Sequence, residues 1–255
     1  MEKTRISIVS YLNSKPFLYG IQHSDILSEL ELSPDIPSRV VAKLTYNLAD
    51  IGLIPVAGLR GLDEYHIVSN YCIGAVGKVK TVVLVSEAPL EEVKEILMDY
   101  QSRSSVLLAK VLAKFYWKKE VNWENTCADF HNKSIKGTTA GVLIGDRVFD
   151  VEGRYAYCYD LSEEWQKFTG LPFVFAVWAS NKKISKKVEA GFNTALELGV
   201  NSIAEIVKFE QENYPGVDIE AYFRDNISFD LDVEKQKGMK KFLELAQKLE
   251  PVALT

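Results

Sequence analysis

The stretch FVFAVWAS, residues 173–180, is apolar at nearly every position. A strand with one wet face alternates apolar and polar residues, whereas a strand covered on both faces reads as an unbroken apolar run. This segment is therefore expected to cross protein interior, inside a sheet that helices cover on both sides. The rest of the chain has the matching rhythm. Residues 5–9, 49–58 (ADIGLIPVAG), 81–86 (TVVLVS), 95–100 (EILMDY) and 140–148 (AGVLIGDRV) read as strands. Helical patterns lie between them: one after Pro16, one through VLLAKVLAKFYWK, and a short one at SEEWQKF that Ser162 would cap and Gly170 and Pro172 would end. Such alternation predicts an α/β fold.

After Lys182 the pattern changes to long amphipathic helices broken by one short strand, ISFDL. Their apolar stripes are expected to be core. No Gly/Ser-rich tract appears, so any two domains are expected to be joined by strands rather than by a flexible tether.

Composition removes several function classes. With 255 residues, 47% of them hydrophobic, the chain can bury a large core. The net charge is −5 and the lysines are scattered, which leaves no basic stripe for a phosphate backbone. The longest apolar runs fall well short of the roughly 20 residues that span a bilayer, and the start of the chain lacks signal-peptide character. The expectation is a soluble cytoplasmic protein whose partner is a small-molecule substrate, with neither nucleic acid nor membrane.

Cys72, Cys127 and Cys158 are odd in number and show no C-x-x-C spacing, and His23, His66 and His131 are not paired for one helix face. A metal is not expected. Dinucleotide and P-loop glycine patterns, H-E-x-x-H and G-x-S-x-G are all absent, so no cofactor is expected either.

Three short polar groups follow strands. In QSRSSV, serines Ser102, Ser104 and Ser105 open a helix whose free N–H groups and dipole favour an anion, and Arg103 adds a fork suited to a carboxylate. The same residues also suit a plain helix cap. In SYLN, Ser10, Tyr11 and Asn13 offer donors and acceptors at a strand end, or form a simple turn before Pro16. In LIGD, Gly145 and Asp146 close a buried strand and are equally compatible with an ordinary turn.

Taken together these pieces resemble the chorismate dehydratase (MqnA) family of the futalosine route to menaquinone. VSYLNSKPF resembles that family's S-Y-L-N-[TS]-x-P, and ADIGLIPVA its A-D-[VI]-x-L-[IV]-P-[VS]-A. DYQSRSSV resembles D-x-x-S-R-T-S, VLIGD resembles L-[IL]-G-D, and YDLSEEWQKFTGLPFVFAVW resembles D-L-x-x-x-W-x-x-x-T-G-L-P-F-V-[FY]-A-x-W. The matches run in order over residues 7–178.

The resemblance implies a two-lobed fold similar to type II periplasmic binding proteins, with a ligand cleft between the lobes. Lobe one would be residues 1–85 plus 178–255 and lobe two residues 86–177, with crossover strands near 81–86 and 173–180. It implies a hydro-lyase that converts chorismate to 3-[(1-carboxyvinyl)oxy]benzoate and water, the alternatives being a small-anion solute-binding protein of the same fold or the sister dihydroxynaphthoate synthase. Asn13 would orient the ring or help the hydroxyl leave, and Thr81 would donate to a carboxylate. Ser10, Tyr11, Ser102, Arg103, Ser104, Ser105, Gly145 and Asp146 would bind substrate. Two positions depart from the family pattern: Thr81 stands where serine is usual, and Ser104 where threonine is usual. Both keep the hydroxyl.

Overall fold

The computed structural model describes residues 3–100, 102–126 and 134–249. Cys127, His131 and Gln101 lie outside the described residues. In chain order the strands are β1 (Thr4–Val9), β2 (Leu30–Asp35), β3 (Ile51–Pro55), β4 (His66–Ala75), β5 (Val82–Ser86) and β6 (Glu95–Met98). They continue as β7 (Asn122–Asn125), β8 (Thr139–Ile144), β9 (Tyr157–Asp160), β10 (Phe173–Ser180) and β11 (Ser228–Asp230). The helices are α1 (Lys15–Gln22), α2 (Pro37–Thr45), α3 (Arg103–Leu112), α4 (Leu161–Thr169), α5 (Lys186–Asn201), α6 (Ile203–Glu210), α7 (Ile219–Ala221) and α8 (Val233–Gln247).

The chain divides into two compact units, Met1–Gly74 with Val174–Asp232 and Ala75–Phe173 with Val233–Thr255. The first contains a six-stranded sheet of order β11-β4-β10-β3-β1-β2. Here β1 runs parallel to β2 and β3, and β10 runs antiparallel to β3. As its apolar run requires, β10 is interior: seven of its eight residues are buried, Ala176 being the half-exposed one. Around it Phe17, Trp178, Phe192 and Phe229 pack edge to face at centroid distances of 4.9–5.7 Å, an arrangement that aligns ring edges with ring faces.

Helices α1 and α5 touch through glycine. A Cβ on Gly199 would lie 1.8 Å from the Pro16 carbonyl oxygen, and one on Gly20 would lie 2.0 Å from that of Ala195. Glycine inside a helix usually costs about 1 kcal/mol relative to alanine. Here it permits backbone-to-backbone approach, which fixes where α1, and so the turn before it, sits on the sheet.

The second unit contains a five-stranded sheet of order β7-β6-β8-β5-β9. Strand β6 is parallel to β7 and β8, and β5 is antiparallel to β8 and β9. Val83, Val85, Leu97 and Leu143 form part of one core cluster with Val148 and Val151 of the 3₁₀ helix Gly145–Val151.

Several expectations are corrected. TVVLVS does not join the units: β5 lies inside the second sheet between β8 and β9. The division falls earlier, after Gly74 in β4, and then at Phe173, the first residue of β10. The last helix, expected with the first lobe, packs in the second unit, where Phe242 meets Trp165 and Phe173 at 6.1 and 5.0 Å. Gly238 brings α8 against the Pro172 carbonyl, where a Cβ would be 2.2 Å away. The cap of α4 is Asp160, whose carboxylate accepts from the Ser162 and Glu163 N–H groups at 3.0 and 3.2 Å. Ser162 is one residue inside the helix, and its hydroxyl is buried without a hydrogen-bond partner among the described residues. Gly170 ends α4 in the left-handed conformation at φ +74°, as a C-terminal glycine should. The helical pattern of VLLAKVLAKFYWK holds to Leu112 and then widens into a π turn, Ala113–Trp117. Strands β2, β4, β7 and β9 carry no counterpart in the reading of the sequence.

Candidate functional site

In the second unit the site follows from strand direction. Because β6 and β8 are parallel, their carboxyl ends share one edge of the sheet, and because β5 is antiparallel to β8, its amino end lies there too. That edge therefore gathers Thr81, which precedes β5, with Gly145 and Asp146, which follow β8, and Asp99 and Ser102 to Ser105, which follow β6. Carboxyl ends of parallel strands are where open α/β sheets present ligand contacts.

The Ser102 hydroxyl accepts from the Ser105 N–H at 3.1 Å and donates to the Ser105 hydroxyl at 2.9 Å, so Ser102 does cap α3. Ser104 and Ser105 are buried in the first turn. Arg103 is exposed, and its guanidinium has no partner among the described residues. The helix start thus carries one cation not spent on the fold, beside backbone N–H groups that α3 itself leaves unpaired. No acidic residue lies in that first turn to oppose an anion.

Gly145 turns at φ +68° and donates its N–H to the Thr81 carbonyl at 2.8 Å, which ties the two loops together. A left-handed φ is what glycine tolerates without a Cβ penalty. The Thr81 side chain is 1% exposed, and its hydroxyl donates to the Val79 carbonyl at 3.4 Å. Lys80, immediately before it, is left-handed at φ +63° and is held there by its N–H, which donates to Asp160 Oδ2 at 2.7 Å. Burial pushes the Asp160 carboxyl up from its ordinary value, although four backbone N–H groups oppose the shift. Asp146 is half-buried in the first turn of Gly145–Val151.

One pair was missed from sequence. Arg147 Nη2 donates to Asp99 Oδ2 at 2.6 Å, with the Asp99 side chain fully buried. Arg147 also lies over the Tyr100 ring at 5.5 Å. The signal available is an aspartate directly after the β6 run and an arginine directly after LIGD, at the ends of two strands, β6 and β8, that pair in parallel.

In the first unit, Ser10, Tyr11 and Asn13 follow the carboxyl end of β1. Tyr11 is extended (φ −99°, ψ 165°), and a 3₁₀ turn, Leu12–Ser14, leads into α1. The Ser14 hydroxyl donates to the carbonyls of Val9 at 2.5 Å and Tyr11 at 2.8 Å, so this buried serine holds the turn closed. Leu12 and Ser14 point inward while Tyr11 and Asn13 are half-buried and Ser10 is exposed. The side chains of Ser10 and Asn13 have no hydrogen-bond partner among the described residues. Of SYLNS, then, Ser14 maintains the fold, and Ser10 and Asn13 keep uncommitted polar groups.

Among the described residues no helix is long and apolar enough to cross a membrane, and no three His, Cys, Asp or Glu side chains are grouped to hold a metal ion.

Comparison with solved structures finds the same fold at low identity. The protein AF1704 from Archaeoglobus fulgidus is similar over 96% of this chain and 97% of its own, with TM-score 0.75 at 17% identity. The Candida albicans CA3427 gene product, described as having the generic periplasmic binding protein fold, is similar over 98% of this chain and 92% of its own, with TM-score 0.64 at 16% identity. The periplasmic aliphatic sulphonate binding protein SsuA from Escherichia coli is similar over 98% of this chain and 94% of its own, with TM-score 0.57 at 18% identity. The mixed α/β architecture with two sheets is therefore that of periplasmic binding proteins, as the motifs anticipate. The model of the family described as menaquinone biosynthesis matches residues 4–248, nearly the whole chain, and the protein belongs to that family.

Proposed function

We propose that the protein is a chorismate dehydratase acting in the futalosine route to menaquinone, a hydro-lyase that forms 3-[(1-carboxyvinyl)oxy]benzoate and water. The observation that carries the reading is the uncommitted Arg103 at the capped start of α3, on the sheet edge that also holds Thr81, Gly145 and Asp146. Chorismate has two carboxylates, and a helix start with a free guanidinium suits one of them. Family membership in menaquinone biosynthesis supports this reading.

On this reading Ser102 to Ser105 bind a carboxylate, with Ser102 and Ser105 fixing the turn and Arg103 providing charge. Thr81, whose buried hydroxyl rests on the Val79 carbonyl, turns that hydroxyl to the substrate from the loop that Gly145 ties down. Asn13, with Ser10 and Tyr11, is assigned to the same substrate on the strength of the SYLN motif and of its unspent carboxamide. The reaction removes the proton from the ring carbon that bears the enol ether. The C–H electron pair becomes a ring double bond, the neighbouring C–O bond breaks, and the hydroxyl leaves as water, giving an aromatic ring. A carboxylate of the substrate itself takes the proton and passes it to the departing hydroxyl, which makes the water, while the protein contributes position and hydrogen bonds. The enzyme works in the cytoplasm.

Asp146 is the alternative base. Asp146→Asn is expected to retain turnover within about tenfold, followed as loss of chorismate with time. Abolished turnover with unchanged chorismate binding would move the base to Asp146.

A second reading is favoured by the likeness to a sulphonate binding protein: a small-anion carrier with this fold and no chemistry. It predicts that chorismate, or another small anion, binds and is released unchanged.

A further inference from the structure

The second unit contains a cavity of about 320 Å³ away from the Ser102–Ser105 turn, beneath the 3₁₀ helix Gly145–Val151. Its floor is aliphatic: Val83 and Val85 of β5, with Val148 and Val151 of that helix. Cys158, an exposed thiol, and Tyr155 stand in its wall. The volume is at the low end of the range of about 300–1,000 Å³ typical of small-molecule sites, enough for a one-ring body.

Five charged side chains line it, and three are already engaged. Asp160 accepts the N–H groups of Lys80, Ser162 and Glu163. Glu163 pairs with Lys167 at 3.1 Å and with Lys78 at 3.9 Å. That leaves one cation and one anion, Lys80 and Glu152, whose side-chain charges form no ion pair or hydrogen bond among the described residues. Burial pushes the Cys158 thiol up, Asp160 and Glu152 push it further, and Lys78 opposes them.

We propose that this cavity binds a hydrophobic α-amino acid. Its side chain lies on the four valines, its carboxylate meets Lys80 and its ammonium meets Glu152. A monocarboxylate would leave Glu152 unanswered, and a simple amine would leave Lys80 unanswered. The covering helix carries Asp146 and Arg147 in its first turn, so an occupant of the cavity bears on the segment that holds them.

The test uses L-phenylalanine as probe and the rate of Cys158 alkylation by iodoacetamide as readout, with the Cys158 peptide quantified by mass spectrometry. Saturating L-phenylalanine should slow modification at least fivefold. 3-Phenylpropanoate and 2-phenylethylamine, which each lack one charge, should need at least tenfold higher concentration. Lys80→Gln and Glu152→Gln alter exposed side chains and so should fold normally, and each should abolish protection. No protection at millimolar L-phenylalanine, equal protection by all three compounds, or full protection in both variants would overturn the proposal. The experiment contains no chorismate, so its failure is separate from failure of the dehydratase reading.

Discussion

Arg147 and Asp99 are 48 residues apart in sequence and 2.6 Å apart in the fold, a guanidinium on a carboxylate that is wholly out of water. The pair clasps the two segments that leave the carboxyl ends of β6 and β8. Removing one partner from a buried pair leaves an uncompensated charge and costs about 3 kcal/mol. Arg147→Met should therefore destabilise the protein by about that amount in urea unfolding, and Asp99→Asn by about 1–2 kcal/mol. The double variant should be less destabilised than the sum of the two single changes. Additive single changes would mean that the clasp contributes nothing as a pair.

Arg103 is the opposite case. It is exposed and spends nothing on the fold, so Arg103→Ala should leave the unfolding free energy within about 0.5 kcal/mol of the parent. A charge-assisted hydrogen bond to substrate is worth about 1.5–3 kcal/mol, so KM for chorismate should rise about 10- to 100-fold. Steady-state kinetics alongside thermal melts separates the two effects.

The contact between α1 and α5 tests how the SYLN turn is placed. In Gly199→Ala the new methyl would overlap the Pro16 carbonyl oxygen, where only 1.8 Å is available. Neither helix backbone can yield without shifting α1. The change should cost about 3 kcal/mol or more, and the folded remainder should bind chorismate more weakly, because Asn13 and the Ser14 tie move with α1.

Asp50 sets an acid limit on stability. Burial pushes its carboxyl up, but hydrogen bonds from the Arg5 side chain at 2.9 and 3.1 Å, from the Arg5 N–H at 2.8 Å and from Lys182 outweigh that and hold it well below the usual carboxylate range. A depressed folded pKa gives stability that is present above the unfolded value of about 3.9 and is lost as pH falls below it. Unfolding free energy should decline below about pH 4. Asp50→Asn should cost about 2 kcal/mol at neutral pH and flatten that decline, which urea titrations at several pH values would measure.

Much of this architecture is written in local pattern. β10 and β5 are legible because both faces are covered and every position must be apolar, and α1 because Pro16 marks its first turn. β2 is harder: as an edge strand it carries polar residues and Pro34, which break the alternation. The cap of α4 was misplaced by two residues because Asp160 and Ser162 are both good caps, and only the turn at Lys80, distant in sequence, draws Asp160 into the role. The placement of α8 and the Asp99–Arg147 clasp depend on which segments meet in space. No spacing along the chain encodes that. Motif residues were easier to find than the groups that hold them, Ser14 above all.

The central claim is chemical, and liquid chromatography with mass spectrometry of protein incubated with chorismate tests it most directly. The account predicts a product lighter than chorismate by one water, the carboxyvinyloxy benzoate, formed by the parent protein and lost in Asn13→Ala. Chorismate recovered unchanged by a folded protein that binds it would contradict the dehydratase reading and leave an anion carrier in its place.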